Sequence, residues 1–349
     1  MAVTFSKWKT PIKEQDPEVR RSNFKEVCLG YSVEEGIKES ERCLQCKTKP
    51  CVKGCPVAID IPAFIKCIKE GDMAGAAEVL DKYTNLPAVC GRVCPQETQC
   101  EELCTVGKMH GFEPVAIGKL ERLVADWKYA QEKKDTEKTP AQTKGKVAVV
   151  GSGPSGLTVA GDLAKMGYEV TIFEALHAAG GVLIYGIPEF RLPKSIVKME
   201  IEAMQDLGVK IECNAVVGKN ITMQEIMEEF DACYIAVGAG APHFQGIPGT
   251  TLNGVYSASE YLTRINLMHG YEFPEFDTPT KKFNKVVVIG GGNVAMDAAR
   301  SAKRLGAEEV TIVYRRSLKE LPARIEEYHH PVEECIIFKW LQDPTGSGN

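Results

Sequence analysis

Short apolar runs closed by glycine punctuate the second half of the chain, and a three-and-four rhythm marks the first. Lys146-Val147-Ala148-Val149-Val150 is apolar on both faces and stops at a glycine, the pattern of a strand buried in a parallel sheet. A helix is expected over 156–165, stopped by Gly167, and 169–174 reads as the next strand. The same unit returns as a strand over 285–289, a helix over 293–305 and a strand over 309–314. Two nucleotide-binding starts therefore stand 139 residues apart, at Gly151 and Gly290. Upstream no strand alternation shows. Ile61-Pro62-Ala63-Phe64-Ile65 opens a helix, 73–80 makes another, and apolar residues over 115–124 recur at helical spacing after Glu113-Pro114. Between the two regions, 131–140 is polar and lysine-rich, with nothing to anchor a core, and reads as a linker.

Composition narrows the class. A chain of 349 residues with 44% hydrophobic content fits two or three domains with a sizeable core. A net charge of −5 gives no nucleic-acid footprint. No apolar run is long enough for a membrane span. The first residues lack the apolar core of a signal peptide, so a cytoplasmic location is expected, where thiols stay reduced and can ligate metal.

The thiols carry the most pointed chemistry. Ten of the 13 cysteines fall in the first 104 residues. They include Cys43-x2-Cys46-x4-Cys51-x3-Cys55-Pro56 and Cys90-x3-Cys94-Pro95-x4-Cys100-x3-Cys104. Tight spacing closed by Cys-Pro is how thiolates hold iron–sulfur clusters. Disulfides belong to short secreted domains, which this chain is not. Zinc is the stronger rival, because Cys-x2-Cys knuckles also bind it, but zinc sites usually pair two such knuckles.

The first glycine loop is Gly151-Ser152-Gly153-Pro154-Ser155-Gly156. Gly151 permits the turn, Gly153 admits a pyrophosphate and Gly156 lets the helix pack on the strand, while the free N–H groups of the helix N-terminus face the phosphates. Glu174 ends the next strand, where a carboxylate can accept hydrogen bonds from ribose hydroxyls. The second loop is Gly290-Gly291-Gly292-Asn293-Val294-Ala295, and its second strand ends in Arg315-Arg316 rather than an acid. Arginine can bind a 2′-phosphate bidentately. FAD is expected at the first loop and NADPH at the second, with the cofactors carrying the chemistry and no catalytic acid or base assigned. The bland alternatives are glycine turns and solvent-facing charges.

Together, the cysteine runs, the Gly151 loop and Gly180-Gly181-Val182-Leu183-Ile184-Tyr185-Gly186-Ile187-Pro188-Glu189-Phe190-Arg191-Leu192-Pro193 resemble the small (β) subunit of NADPH-dependent glutamate synthase. They also resemble the large subunit of the NADH-dependent ferredoxin:NADP oxidoreductase and the N-terminal half of dihydropyrimidine dehydrogenase. The likeness covers nearly the whole chain. It implies an α-helical domain with two [4Fe–4S] clusters, followed by α/β Rossmann-like domains for FAD and NADP(H), the last incomplete here. On this reading 1–130 is the iron–sulfur domain, 131–145 the linker, 146–283 the FAD domain and 284–349 the N-terminal part of the NADPH domain. The resemblance further implies crossed ligation. Cys43, Cys46, Cys51 and Cys104 hold one cluster, and Cys55, Cys94 and Cys100 hold three corners of the other. Glu121 is the expected fourth ligand, with Cys90 its rival, while Cys28 and Cys67 are expected to be buried thiols. Gly181, Val182, Leu183, Ile187 and Arg191 are implied to lie along the flavin, and Gly238 near its adenosine. Gly290, Gly292, Asn293, Val294, Arg315 and Arg316 are assigned to NADPH.

Family members continue beyond Asn349, so half sheets with exposed apolar edges are expected, together with a partner or a missing segment. The leading expectation is an oxidoreductase subunit moving electrons among NADPH, FAD and the clusters, to or from a partner such as a glutamate synthase large subunit or a ferredoxin-linked flavoprotein. The alternative is a non-catalytic wiring or assembly subunit.

Overall fold

A computed structural model describes residues 5–131, 144–242, 244 and 246–346, so nearly all of the expected linker lies outside the described residues. Helices fill the amino-terminal part: Val33–Ser40, Pro50–Gly54, Ile61–Lys69, Met73–Asp81, Pro87–Val93 and Ile117–Ala130 are the main ones. Three start on side-chain caps. Ser32 and Glu35 form a reciprocal capping box, Asp60 accepts from the Ala63 N–H, and Asp72 accepts from the Gly75 N–H. Ile61, Phe64, Ile65 and Ile68 line one face of their helix. They pack with Met73, Leu80, Leu120 and Val124 into a single core. Each such side chain contributes about 1.5–3 kcal/mol by leaving water.

One feature departs from the sequence expectation. A short antiparallel pair, β1 (Lys13–Glu14) and β2 (Cys28–Gly30), lies within this helical part. Strands of two and three residues are too short for alternation to register.

The second half holds two parallel sheets. One comprises β3 (Lys146–Val150), β4 (Glu169–Phe173), β5 (Lys210–Glu212) and β6 (Ala232–Ile235), in the order β5-β4-β3-β6. The other comprises β7 (Lys285–Ile289), β8 (Glu309–Tyr314) and β9 (Ile337–Trp340), in that order. Helices Pro154–Lys165 and Asn293–Arg304 follow β3 and β7, so each sheet opens with a strand–helix–strand unit. Helix Ala258–Asn266 touches both Asn293–Arg304 and the short Val182–Tyr185 helix, bridging the two sheets. β6 and β7 are edge strands, and Ile235 and Val287 are each 63% exposed there, the apolar edge expected of half sheets. Among the described residues no helix is long and apolar enough to cross a membrane.

A buried lattice of charges ties the three parts together. Glu334, fully buried, receives Arg300 and Arg304 in two-pronged pairs at 2.7–3.0 Å, and Arg20 Nε at 3.1 Å. Arg20 comes from the amino-terminal part and also reaches Glu14 and Glu333. Arg191, from the segment after the first sheet's glycine turn, donates to Asp297 and Glu327, each at 2.7 Å. Arg300 completes the link to Glu327 at 3.0 Å. The guanidinium carbons of Arg300 and Arg304 lie 4.7 and 3.9 Å from the ring centre of the buried Phe190. On the other flank, Arg324 bonds Gln96 Oε1 at 3.1 Å and the Arg92 carbonyl at 3.0 Å, and Lys119 pairs with Glu326 at 2.7 Å. Chain segments some 300 residues apart in sequence meet here.

Burial pushes the Glu334 carboxyl up, but Arg300 and Arg304 outweigh burial and hold it below the usual 4.5. A depressed carboxylate adds stability that is complete above its unfolded pKa and is lost as pH falls through the folded one. Glu334→Gln should therefore lower stability at neutral pH by about 3–5 kcal/mol, the cost of leaving buried charge unpaired. A fall in urea midpoint checks this, and the gap between variant and wild type should close as the solution is acidified below the ordinary carboxylate range.

Candidate functional site

The first cysteine run is held open by unusual backbone. Gln45, Lys49 and Ala58 all adopt positive φ, at +49°, +44° and +54°. Pro50 then starts the short helix that carries Cys51, and Cys55 ends it in extended conformation. The second run reaches the first at Gly54, where a Cβ would sit 2.6 Å from the Gln99 carbonyl oxygen and 3.2 Å from Cys100 Cα. Cys46 Sγ lies 3.3 Å from Thr105 Oγ1, beside Cys104.

The thiols sort into two groups by mutual influence. Burial pushes the Cys51 thiol up to about 12, with Cys43 and Cys104 adding to it. Burial likewise raises Cys43, with Cys104 and Cys46 as its thiol neighbours. Burial lifts Cys94 to about 11, helped by Glu121 and Cys55. Cys100 is also raised by burial and feels Glu121, Cys55 and Cys94. The neighbourhoods are thus Cys43, Cys46, Cys51 and Cys104 on one side, and Cys55, Cys94, Cys100 and Glu121 on the other. All of these cysteines are free thiols.

Two observations bear on what these groups could hold. Zinc–sulfur bonds of about 2.3 Å would draw tetrahedral sulfurs to within about 4 Å of one another. Among the described residues, no three atoms of either group lie within 4.8 Å of each other, a spacing too open for a single ion. The one set that meets it, Glu14, Cys28 and Glu326, already has the Lys119 ammonium 2.7 Å from Glu326 and 3.7 Å from Cys28. Second, Glu121 is buried with Oε1 lacking any hydrogen-bond partner, and burial lifts its carboxyl to about 8. A buried carboxylate oxygen without a donor is costly unless a cation takes it. The residues therefore fit iron–sulfur clusters, whose cores separate the sulfurs and offer iron to Glu121. Cys90, half-buried, has Glu121 and Cys94 as its charged neighbours, so it shares that neighbourhood. Cys28 and Cys67, expected to be buried, are only half-buried.

At the first glycine loop, Gly151 has φ +101° and a Cβ there would meet the Ala236 carbonyl oxygen at 2.5 Å. On Gly156 it would lie 2.0 Å from the Gly151 carbonyl oxygen. Gly153 faces open space and heads helix Pro154–Lys165 with no side-chain cap, leaving its first N–H groups for a ligand. Gly181 closes over this turn, since its Cβ would stand 2.7 Å from Gly153 Cα. Ser152 is the buried hub. Its N–H and hydroxyl both reach Glu174, and its oxygen accepts the Gly180 N–H at 2.9 Å. Glu174, expected to face ribose hydroxyls, is buried as a brace of the loop, and its other oxygen accepts the Leu176 N–H at 2.8 Å. Ser155 Oγ is 2.9 Å from the Tyr234 hydroxyl.

The segment after Gly181 divides. Val182 is exposed, Leu183 is core, and Ile187 is half-buried against the same core. Arg191 turns away into the charge lattice, so its guanidinium is engaged by Asp297 and Glu327 rather than by the glycine turn. Sequence reasoning missed the residues that hold this segment. The Lys194 ammonium donates to the carbonyls of Leu183, Ile187 and Leu192, and burial lowers it to about 8. Asn266 Nδ2 donates to the Tyr185 and Gly186 carbonyls at 3.2 and 3.3 Å. Neither belongs to a motif, so no local signal marks them. Gly238, φ +67°, has open space beside it.

At the second loop, Gly290 has φ +136° and Gly292 heads helix Asn293–Arg304, again without a side-chain cap. Asn293 Oδ1 accepts the Arg324 N–H at 3.0 Å, and Val294 is exposed. Arg315 and Arg316 stand exposed beyond β8, with Arg316 near Glu320.

Two family models match the chain. One describes dihydropyrimidine dehydrogenase domain II, 4Fe-4S cluster, over residues 20–133. The other describes pyridine nucleotide-disulphide oxidoreductase, over 111–229 and 218–332. The NADP(+)-dependent formate dehydrogenase subunit beta of Moorella thermoacetica is 40% identical over 85% of this chain, which spans only 44% of that subunit. The glutamate synthase [NADPH] small chain of Azospirillum brasilense is 35% identical over 94% of this chain and 68% of its own length. The corresponding protein of Escherichia coli K12 is 33% identical over 97% and 71%.

Crossed ligation has a direct readout. Cys104→Ser should abolish the same paramagnetic signal as Cys43→Ser in the dithionite-reduced chain, and Cys94→Ser the other, each with about half of the iron. Identical losses from Cys104→Ser and Cys94→Ser would contradict the grouping. Gly156→Ala should force the loop open at a cost of about 1–3 kcal/mol and reduce flavin retained per chain, read by visible absorbance.

Proposed function

The chain belongs to the glutamate synthase small-chain family, and from that premise we propose that it is an electron-relay oxidoreductase subunit whose two thiol groups hold [4Fe–4S] clusters, whose first glycine turn holds FAD and whose second holds NADP(H). When bound, FAD supplies two-electron exchange with the nicotinamide and one-electron exchange with the clusters. The chain's own part is placement. Ser152, Glu174 and Gly181 shape the first turn, while Lys194 and Asn266 fix the segment that follows it. The observation that carries the reading is the orphaned Glu121 oxygen beside Cys94 and Cys100, in a helical part docked on the first sheet's helices. Asn85 Nδ2 makes that docking direct, donating to the Thr158 carbonyl at 3.1 Å and to Asp162 at 2.7 Å on the helix after the first glycine turn.

Electrons pass between this subunit and a second polypeptide, either a glutamate-forming large subunit or a ferredoxin-linked flavoprotein. The exposed Arg315 and Arg316, with no acid at the end of β8, support NADPH over NADH.

The test is an anaerobic titration of the purified, cluster-containing protein with each nucleotide. NADPH should bleach the flavin and then reduce the clusters, while NADH should do so only at much higher concentration. Arg315→Glu should weaken NADPH about ten- to a hundredfold, the worth of a lost charge-assisted hydrogen bond, and spare NADH. A protein without iron, sulfide and flavin would overturn the reading. Intact clusters beside a flavin that NADPH leaves oxidised would mark a passive wiring subunit instead.

A further inference from the structure

Glu200 has no place in any motif, yet it is fully buried on helix Lys194–Asp206. That helix touches the Val182–Tyr185 helix next to the first glycine turn and also the Pro87–Val93 helix of the amino-terminal part. Glu200 Oε1 accepts the Ala88 N–H at 2.6 Å, and the Val89 N–H also points to this carboxylate. Pro87 has no N–H and Leu86 offers no side-chain cap, so the first donors of the Pro87–Val93 helix are satisfied from a segment more than 100 residues away. The far end of the same helix delivers Cys94, whose N–H bonds the Cys90 carbonyl at 3.1 Å. Gln96 Nε2 closes on that carbonyl at 2.9 Å.

The second oxygen of Glu200 is as telling. Oε2 is buried without a partner, and so is Glu121 Oε1. Glu121 and Cys90 both feel the Glu200 charge. Backbones press together at this point, since a Cβ on Gly91 would stand 2.6 Å from the Arg122 backbone nitrogen, next to Glu121. The stretch carrying Glu121 is thus packed directly on the Pro87–Val93 helix, the helix that Glu200 caps and that ends at Cys94.

We propose that Glu200 is a positioning residue for the second cluster, clamping to the flavin-side helix the helix that presents Cys94 and on which the Glu121 stretch packs. The proposal rests on reading Cys55, Cys94, Cys100 and Glu121 as a cluster site. It adds that the site is built partly from the flavin-binding half of the chain.

The experiment uses the full chain with clusters assembled anaerobically. Iron and acid-labile sulfide are measured, and the dithionite-reduced protein is examined by paramagnetic resonance with redox titration. E200A should lose about half the iron and one of two signals, with the signal sensitive to Cys104→Ser retained. E200Q keeps an oxygen for the Ala88 N–H but replaces the buried, unpartnered second oxygen by an amide donor. It should keep both clusters, while the second shows altered g-values and a raised midpoint potential. Wild-type protein without iron would sink the underlying site reading. Wild-type protein with two clusters, and E200Q with both signals and both potentials unchanged, would overturn the proposal alone, even if E200A proved insoluble. Lower thermal stability in E200Q with unchanged potentials would mark a merely structural cap and overturn it as well.

Discussion

One carboxylate, Glu334, anchors the buried charge lattice that joins the three parts of this molecule. Three guanidinium groups converge on it from the amino-terminal part and from the helix after the second glycine loop. Through Arg300 and Glu327 the lattice extends to Arg191, just past the first sheet's glycine turn. Such buried charge is weak evidence for net stability, because desolvation offsets most of the attraction. Its value lies in geometry. Bidentate pairs tolerate little displacement, so the helical part, the first sheet and the second sheet are held in one register. Electron passage between separate cofactors depends on fixed separations, which a rigid buried lattice of this kind favours.

Elements built from local composition were legible in the chain. The strands at 146–150, 285–289 and 309–314 coincide with β3, β7 and β8, because β-branched runs closed by glycine or flanked by charge leave little choice. Helix ends shifted by a few residues. The helix expected over 115–124 begins at Ile117 and runs on to Ala130, its last turns held by ion pairs of Asp126 with Arg92 and of Lys128 with Asp81. β1 and β2 were invisible, being pairings of residues 14 and 17 apart that carry no periodic signal.

The site was legible only where a motif carries it. Cysteine spacing and glycine turns announce the residues that touch a ligand. Nothing announces what holds those residues in place, because the partners come from distant segments: Glu200 beneath Cys94, Lys194 and Asn266 behind the Tyr185 turn. Arg191 and Glu174 show the converse. Both sit in motif-like positions, and in both the side chain is engaged by the protein, Arg191 with Asp297 and Glu327, Glu174 with Ser152. A polar residue near a glycine turn can brace the turn as readily as it can meet a ligand, and only packing distinguishes the two.

The left-handed backbone at Gln45, Lys49 and Ala58 has a consequence for assembly. Each such residue stores on the order of 1–3 kcal/mol of conformational tension. Bare thiols cannot balance that tension, since burial and crowding already disfavour their ionised form. The loop is thus a spring that the inorganic core must latch. The helices around it can form from their own apolar faces, whereas the stretch carrying Cys46 and Cys51 depends on the group that its thiols would hold.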